Sequence, residues 1–217
     1  MWGDLEQGGT KGVYHINAVD EVTQWQVVGA VEHISEAWLE PLLLSMPEQF
    51  PFRILGFPSD NGSEFVNHTV AGMLNKLPIE QTGSRPHNSN DNGLVESKNG
   101  AVIRKHTGFD RIASDHADRI NAFYAEHFNP YLNFHRPGGV PELNKDQHGK
   151  TRRRSTWYAT PWEILRQSPT VAGCLKEDLT MEQMERLAGT QSDTGAARKM
   201  QEAKRKLFAG FADRKIS

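Results

Sequence analysis

At 217 residues, with 37% hydrophobic and 24% charged side chains, the chain is long enough for one substantial core plus an appendage. No stretch approaches about 18 uninterrupted apolar residues, which argues against a membrane-spanning helix. Cys174 is the only cysteine, so an intrachain disulfide and a cysteine-built zinc site are excluded, and its default role is that of a small buried hydrophobe.

The start, Met1-Trp2-Gly3-Asp4-Leu5-Glu6, lacks the basic and then apolar pattern of a secretory signal, so a cytoplasmic location is the expectation. The net charge of −2 hides a division. Residues 1–97 carry four basic side chains against 13 acidic, while residues 98–217 carry 21 basic against 14 acidic. An acidic half suits gathering cations and a basic half suits holding phosphates, although many basic helices serve solubility alone.

In chain order, Val13 to Val19 alternates with β-branched and aromatic residues and reads as a strand, and Gln24 to Val31 as its hairpin partner. Ser35 is placed to cap a helix presenting Trp38, Leu39, Leu42, Leu43 and Met46 on one face. Phe52 to Phe57 reads as a buried strand. A helix capped by Asn67 and a short strand from Pro78 to Thr82 follow. Gly83 to Asn92 is a loop by its Ser, Asn, Gly and Pro content. A helix near Gly93 carries Glu96, Val102 and Ile103, and another, from about Ala113 to Phe134, aligns Ile120, Phe123, Tyr124, Phe128 and Leu132. From Pro137 the chain turns polar and basic without periodicity, which reads as a linker or exposed arm. Thr160-Pro161-Trp162-Glu163 has the cap, proline and acid of a helix start. Thr180 caps a short helix ending at Gly189, and a last helix runs from about Asp193 to Phe208. Hairpin, helix, strand, helix, strand, loop and helices in that order predict an α/β fold with a mixed sheet flanked by helices.

Two acidic residues stand in recognisable settings. Asp60 lies in Ser59-Asp60-Asn61-Gly62-Ser63, and Glu96 in Val95-Glu96-Ser97, with 35 residues between them. Taken singly, Asp60 would be a turn residue before Asn61-Gly62, and Glu96 an acid complementing a helix dipole. Carboxylates brought together from distant segments are what hard divalent cations require, because Mg²⁺ takes a few carboxylates plus waters and substrate phosphates. No His or Cys spacing suggests zinc.

The two motifs at this spacing resemble the catalytic core of retroviral integrases and bacterial insertion-sequence transposases, the DDE-type enzymes. That resemblance covers roughly residues 4 to 165 and includes Asn129 to Pro137 and Thr160 to Glu163. It implies an RNase H-like core over residues 1–137, N-terminally truncated, followed by a basic linker and helical region over 138–217. It also implies metal-dependent DNA strand cleavage and strand transfer with two Mg²⁺ or Mn²⁺ ions. DNA, both transposon end and target, would be the partner, and the active form a homo-oligomer in the bacterial cytoplasm. Asp4, Asp60 and Glu96 would be the catalytic and metal-binding triad, although Asp4 is equally an exposed acid on a frayed terminus. Asp20 matches a position where the family often has an Asp without catalytic duty.

The DNA contacts would come from Lys98, Arg104, Lys105 and the run Arg152, Arg153 and Arg154. The family's basic residue seven positions after the catalytic Glu is replaced by Ile103, and Lys98 and Arg104 are the substitutes at hand. His135 and Arg136 serve either DNA or the capping of a helix C-terminus. The short stretch before Asp4 and the identity of Ile103 fit an alternative expectation, an inactive transposase remnant that only binds DNA or full-length partners.

Overall fold

A computed structural model of the chain describes residues 12–54, 56–59, 72, 80–83, 102–103, 105–107, 112–145 and 151–212. Strands β1 (Tyr14–Val19) and β2 (Gln26–Val31) form the expected antiparallel hairpin, in register from Tyr14 opposite Val31 to Val19 opposite Gln26. The turn between them is closed by Asp20. Its carboxylate accepts from the Thr23 N–H at 2.6 Å and the Thr23 hydroxyl at 2.7 Å, and its carbonyl accepts from the Gln24 N–H. Gln24 takes a left-handed φ of 60°, uncommon for a residue with a Cβ, to bring the chain back into register.

All six residues of β2 are buried, because the strand has a core on each face. Val27 and Val31 point into a cluster with Leu39, Leu42 and Leu43 of helix α1 (Glu36–Ser45). Val28 and Ala30, on the alternate face, meet Ile120, Tyr124 and Phe128 of a long helix, α2 (residues 117–135). Gly29 belongs to the α1 face, where a Cβ would stand 2.6 Å from Leu42 Cδ1, so its lack of a side chain lets the helix approach. Trp38, expected among the buried residues of α1, is instead 42% exposed with its ring against His33, because the core needs only the Leu39, Leu42, Leu43 stripe.

Helix α2 is preceded by a tight turn at Ser114–His116, and it widens to π-helical geometry at Tyr124–Phe128 and Tyr131–His135. Pro130 lies between these wide turns. It has no N–H to give the helix, and a local change of helical pitch is a usual response to such an interruption.

Strands β3 (Gly56–Ser59) and β4 (Glu80–Gly83) pair in parallel; β3 is displaced towards the C-terminus from the expected run, and β4 overlaps the run expected from Pro78 to Thr82. Phe52, expected inside the first of these, bridges to Leu175 instead. The region read as a basic linker is an antiparallel hairpin, β5 (Gly138–Lys145) with β6 (Thr151–Ala159). Its charged residues gave no apolar alternation, but pairing with β5 satisfies the backbone without one.

Helix α3 (Pro161–Gln167) opens on the capping box foreseen in the sequence: Thr160 Oγ1 accepts from the Glu163 N–H at 3.1 Å, and the Glu163 carboxylate accepts from the Thr160 N–H at 2.7 Å. Helix α4 (Met181–Ala188) repeats the device with Thr180 and Gln183. Helix α5 (Asp193–Ala212) runs further than expected, because Phe211 stacks on His116 at 4.2 Å and the Arg119 guanidinium donates to the Gly210 carbonyl. Trp162, Leu165 and Met184 share the cluster on the α1 face of β2, and Met200 of α5 shares the other. The helices after residue 138 therefore complete the cores of the segment before it. The described residues form a mixed α/β structure with two antiparallel hairpins and one parallel strand pair.

Candidate functional site

Parallel strands require a crossover between them, and in open α/β sheets ligands collect outside the carboxyl ends of such strands. Ser59 of β3 pairs with Gly83 of β4, the last described residue of each strand. Asp60 is the next residue of the chain. Asp4, Asp60, Glu96, Lys98 and Arg104 all lie outside the described residues, as do all but the helical Gly72 of the expected Asn67-capped helix and most of the Gly83 to Asn92 loop. Among the described residues, no three His, Cys, Asp or Glu side chains come together as a metal site.

Seven positions beyond Glu96, Ile103 is a core residue. It is 6% exposed, and with Val102, which is fully buried, it packs against the α2 face of the sheet. The Ile103 side chain therefore faces the protein interior. Lys105, two residues on, is exposed in the helical stretch Lys105–Thr107. Its neighbour His106 sits edge-on to Phe128 at 5.1 Å and to Tyr131 at 6.4 Å. Burial, reinforced by the positive charges of Arg136, Lys204 and Lys105, lowers the His106 pKa from 6.5 to about 4, so it is neutral near pH 7. Three cations from three segments thus act electrostatically on one imidazole. Arg136, expected to serve either DNA or a helix cap, is joined here by Lys204 of α5.

Arg152, Arg153 and Arg154 occupy consecutive positions of β6, opposite Asn144, Leu143 and Glu142 of β5. At the base of the same strand, Tyr158 is 74% exposed and pairs with Gly139, which has no side chain to cover it.

Asn129 and Asn133, within the segment that resembles transposases, serve the fold. Asn133 accepts from the Gln26 N–H and donates to the Gln26 carbonyl, both at 2.8 Å, and Asn129 does the same for Val28. Asn121 repeats the pattern at Ala30. Three side-chain amides thus take the place of a neighbouring strand along the edge of β2. His135, whose role the sequence left open, is buried and its Nδ1 lies 3.0 Å from Asp193, the first residue of α5.

No family model matches the chain. A 68-residue stretch, 31% of the chain, is 38% identical to the uncharacterized protein y4rM of Sinorhizobium fredii. The matched stretch spans 19% of that protein's length.

Proposed function

We propose that the chain is the core of a DNA transposase or integrase with an RNase H-like fold, catalysing metal-dependent strand cleavage and strand transfer. The observation that carries this proposal is the parallel pairing of β3 with β4. Such a pair is the kind of sheet at whose carboxyl ends α/β proteins gather catalytic groups, and in the sequence Ser59 of β3 is followed by Asp60 in the Ser-Asp-Asn-Gly-Ser setting, with Glu96 beyond it. In the proposed reaction, water attacks a phosphodiester in line and a free 3′-hydroxyl leaves. That hydroxyl then attacks target DNA, releasing a second 3′-hydroxyl. Mg²⁺ or Mn²⁺, held by Asp4, Asp60 and Glu96, would supply activation of the water and stabilisation of the leaving oxygen.

Lys105 and the Arg152 to Arg154 run support contact with DNA, together with Arg136 and Lys204 around His106. Helix α1 supports a homo-oligomer. Its outer side shows Trp38 at 42% and Leu44 at 37% exposure, although its inner side already fills the core.

A second proposal is favoured by one observation, the burial of Ile103. A chain without the DNA-end contact at that position would be a binding remnant without strand-transfer activity. Incubating the protein with supercoiled plasmid and with pre-cut element ends, in Mg²⁺, Mn²⁺ or chelator, tests both. Metal-dependent nicking that disappears in Asp60→Asn and Glu96→Gln supports the enzyme. DNA binding with no metal-dependent product supports the remnant.

A further inference from the structure

We infer that the β5–β6 hairpin is a DNA-holding ribbon that lies in the major groove of a duplex, an inference that rests on the proposal that this chain handles DNA. Among the described residues the hairpin is anchored at its base. Gly138 pairs with Ala159, which is buried and leads into the capping box of α3, and the Gln24 side-chain amide donates to the Gly139 carbonyl at 3.5 Å. From that base β6 runs nine residues to Thr151, a reach of about 27 Å at 3.3 Å per residue. Among the described residues neither outer edge is paired with another strand. A two-stranded ribbon of this kind is only marginally stable in water and gains from a surface that receives it.

The charge of the ribbon selects the partner. Residues 138–159 carry Lys145, Lys150, Arg152, Arg153 and Arg154 against Glu142 and Asp146, while the chain as a whole is acidic. The concentration of cations favours a polyanion over a second copy of an acidic chain. Strand addition by another copy is also opposed along β5, where Pro141 has no N–H to donate and the register shifts at Val140/Pro141, both features that blunt sheet edges. The major groove, about 12 Å wide, admits a two-stranded antiparallel ribbon, which then meets phosphates from its flanks. At the base, the uncovered Tyr158 ring beside Gly139 is placed to lie against sugar or base at the groove's edge.

Fluorescence anisotropy of the 217-residue chain with a labelled mixed-sequence duplex, measured across a salt series, tests this. Arg152→Ala/Arg153→Ala/Arg154→Ala should weaken binding and flatten the logarithmic salt slope by up to about 0.9 for each phosphate no longer neutralised. Tyr158→Ala should weaken binding with the slope unchanged. A measurement on the wild type alone guards against variants that fail to fold: methyl green, which occupies the major groove, should compete, and netropsin, a minor-groove ligand, should not. An unchanged slope in the folded triple variant, or competition by netropsin alone, overturns the ribbon. Nicking by the wild type alongside that result leaves the transposase proposal standing. Conversely, Asp60→Asn with undiminished cleavage, beside a ribbon variant that loses binding, sinks the proposed catalytic role of Asp60 and keeps the ribbon. A wild type with no affinity for duplex removes both.

Discussion

Asn129 offers both ends of its side-chain amide to one residue of β2: Oδ1 accepts from the Val28 N–H at 3.0 Å and Nδ2 donates to the Val28 carbonyl at 3.1 Å. Asn133 does this at Gln26 and Asn121 at Ala30, so three alternate residues of one strand are bonded by one helix. A buried edge strand otherwise leaves a row of unpaired backbone groups. Truncating Asn129 or Asn133 to alanine strands one buried donor and one buried acceptor. Each substitution should therefore destabilise the protein by about 2–4 kcal/mol. Asn121→Ala should cost less, because its bonds are only partly buried. Urea denaturation of the three variants gives the comparison, and equal, negligible losses would show that water replaces the amides without penalty.

These asparagines mark the limit of what the sequence conveys. The apolar stripe Ile120, Phe123, Tyr124, Phe128 and Leu132 identifies α2, because burial of one helix face imposes a period that can be counted. Asn121, Asn129 and Asn133 flank that stripe at spacings of eight and four, a regularity that is present in the sequence. Nothing local says that their partner is a strand far back in the chain. The hairpin of β1 and β2 and the Thr160 capping box were legible because their signals are contiguous. The β5–β6 hairpin was not, because Arg152, Arg153 and Arg154 carry no alternation of polarity and long-range pairing supplies the order. The carboxylate motif was read from Asp60 and Glu96 in their settings, and both residues lie outside the described ones.

Gly29 is held to its identity by the head of Leu42, whose Cδ1, Cδ2 and Cγ would stand 2.6, 3.0 and 3.1 Å from an added Cβ. Leu42 is itself confined in the core between β2 and α1. Gly29→Ala should cost about 1–3 kcal/mol by overpacking, against the usual gain from replacing glycine in a strand. Combining it with Leu42→Val should recover part of that loss. A double-mutant cycle in thermal unfolding with no coupling would show that the two positions do not meet.

His15 of β1 accepts or shares a hydrogen bond with the Tyr124 hydroxyl, 3.0 Å from its Nδ1, and burial lowers its pKa from 6.5 to about 4. The unfolded chain therefore takes up a proton between those values while the folded protein stays neutral, so stability is fully present above pH 6.5 and declines as pH falls towards 4. Moving from pH 7 to pH 5 should remove about 2 kcal/mol through this residue. His106, shifted in the same direction, steepens the decline. His15→Gln keeps a polar partner for Tyr124 without titrating, and should flatten the dependence in urea unfolding at the two pH values. An identical pH profile for wild type and variant would assign the acid sensitivity to other groups.

Ile103 decides between a surface that meets DNA and a place in the core. Placing a basic side chain there by Ile103→Lys would help DNA binding only if the position faced solvent, and it is 6% exposed among Val102, Ile112 and Ile120. An ammonium group has no ion partner in that apolar cluster, and burying a charge without one costs several kcal/mol. The variant should therefore unfold at lower urea by more than about 3 kcal/mol, and with no gain in affinity for DNA. Ile103→Val, which removes one methylene, should cost only about 0.5–1.5 kcal/mol and leave DNA binding unchanged. Parallel measurement of urea midpoints and duplex affinity separates the two roles. A stable Ile103→Lys protein that binds DNA more tightly would place this side chain at the nucleic-acid surface and withdraw it from the core.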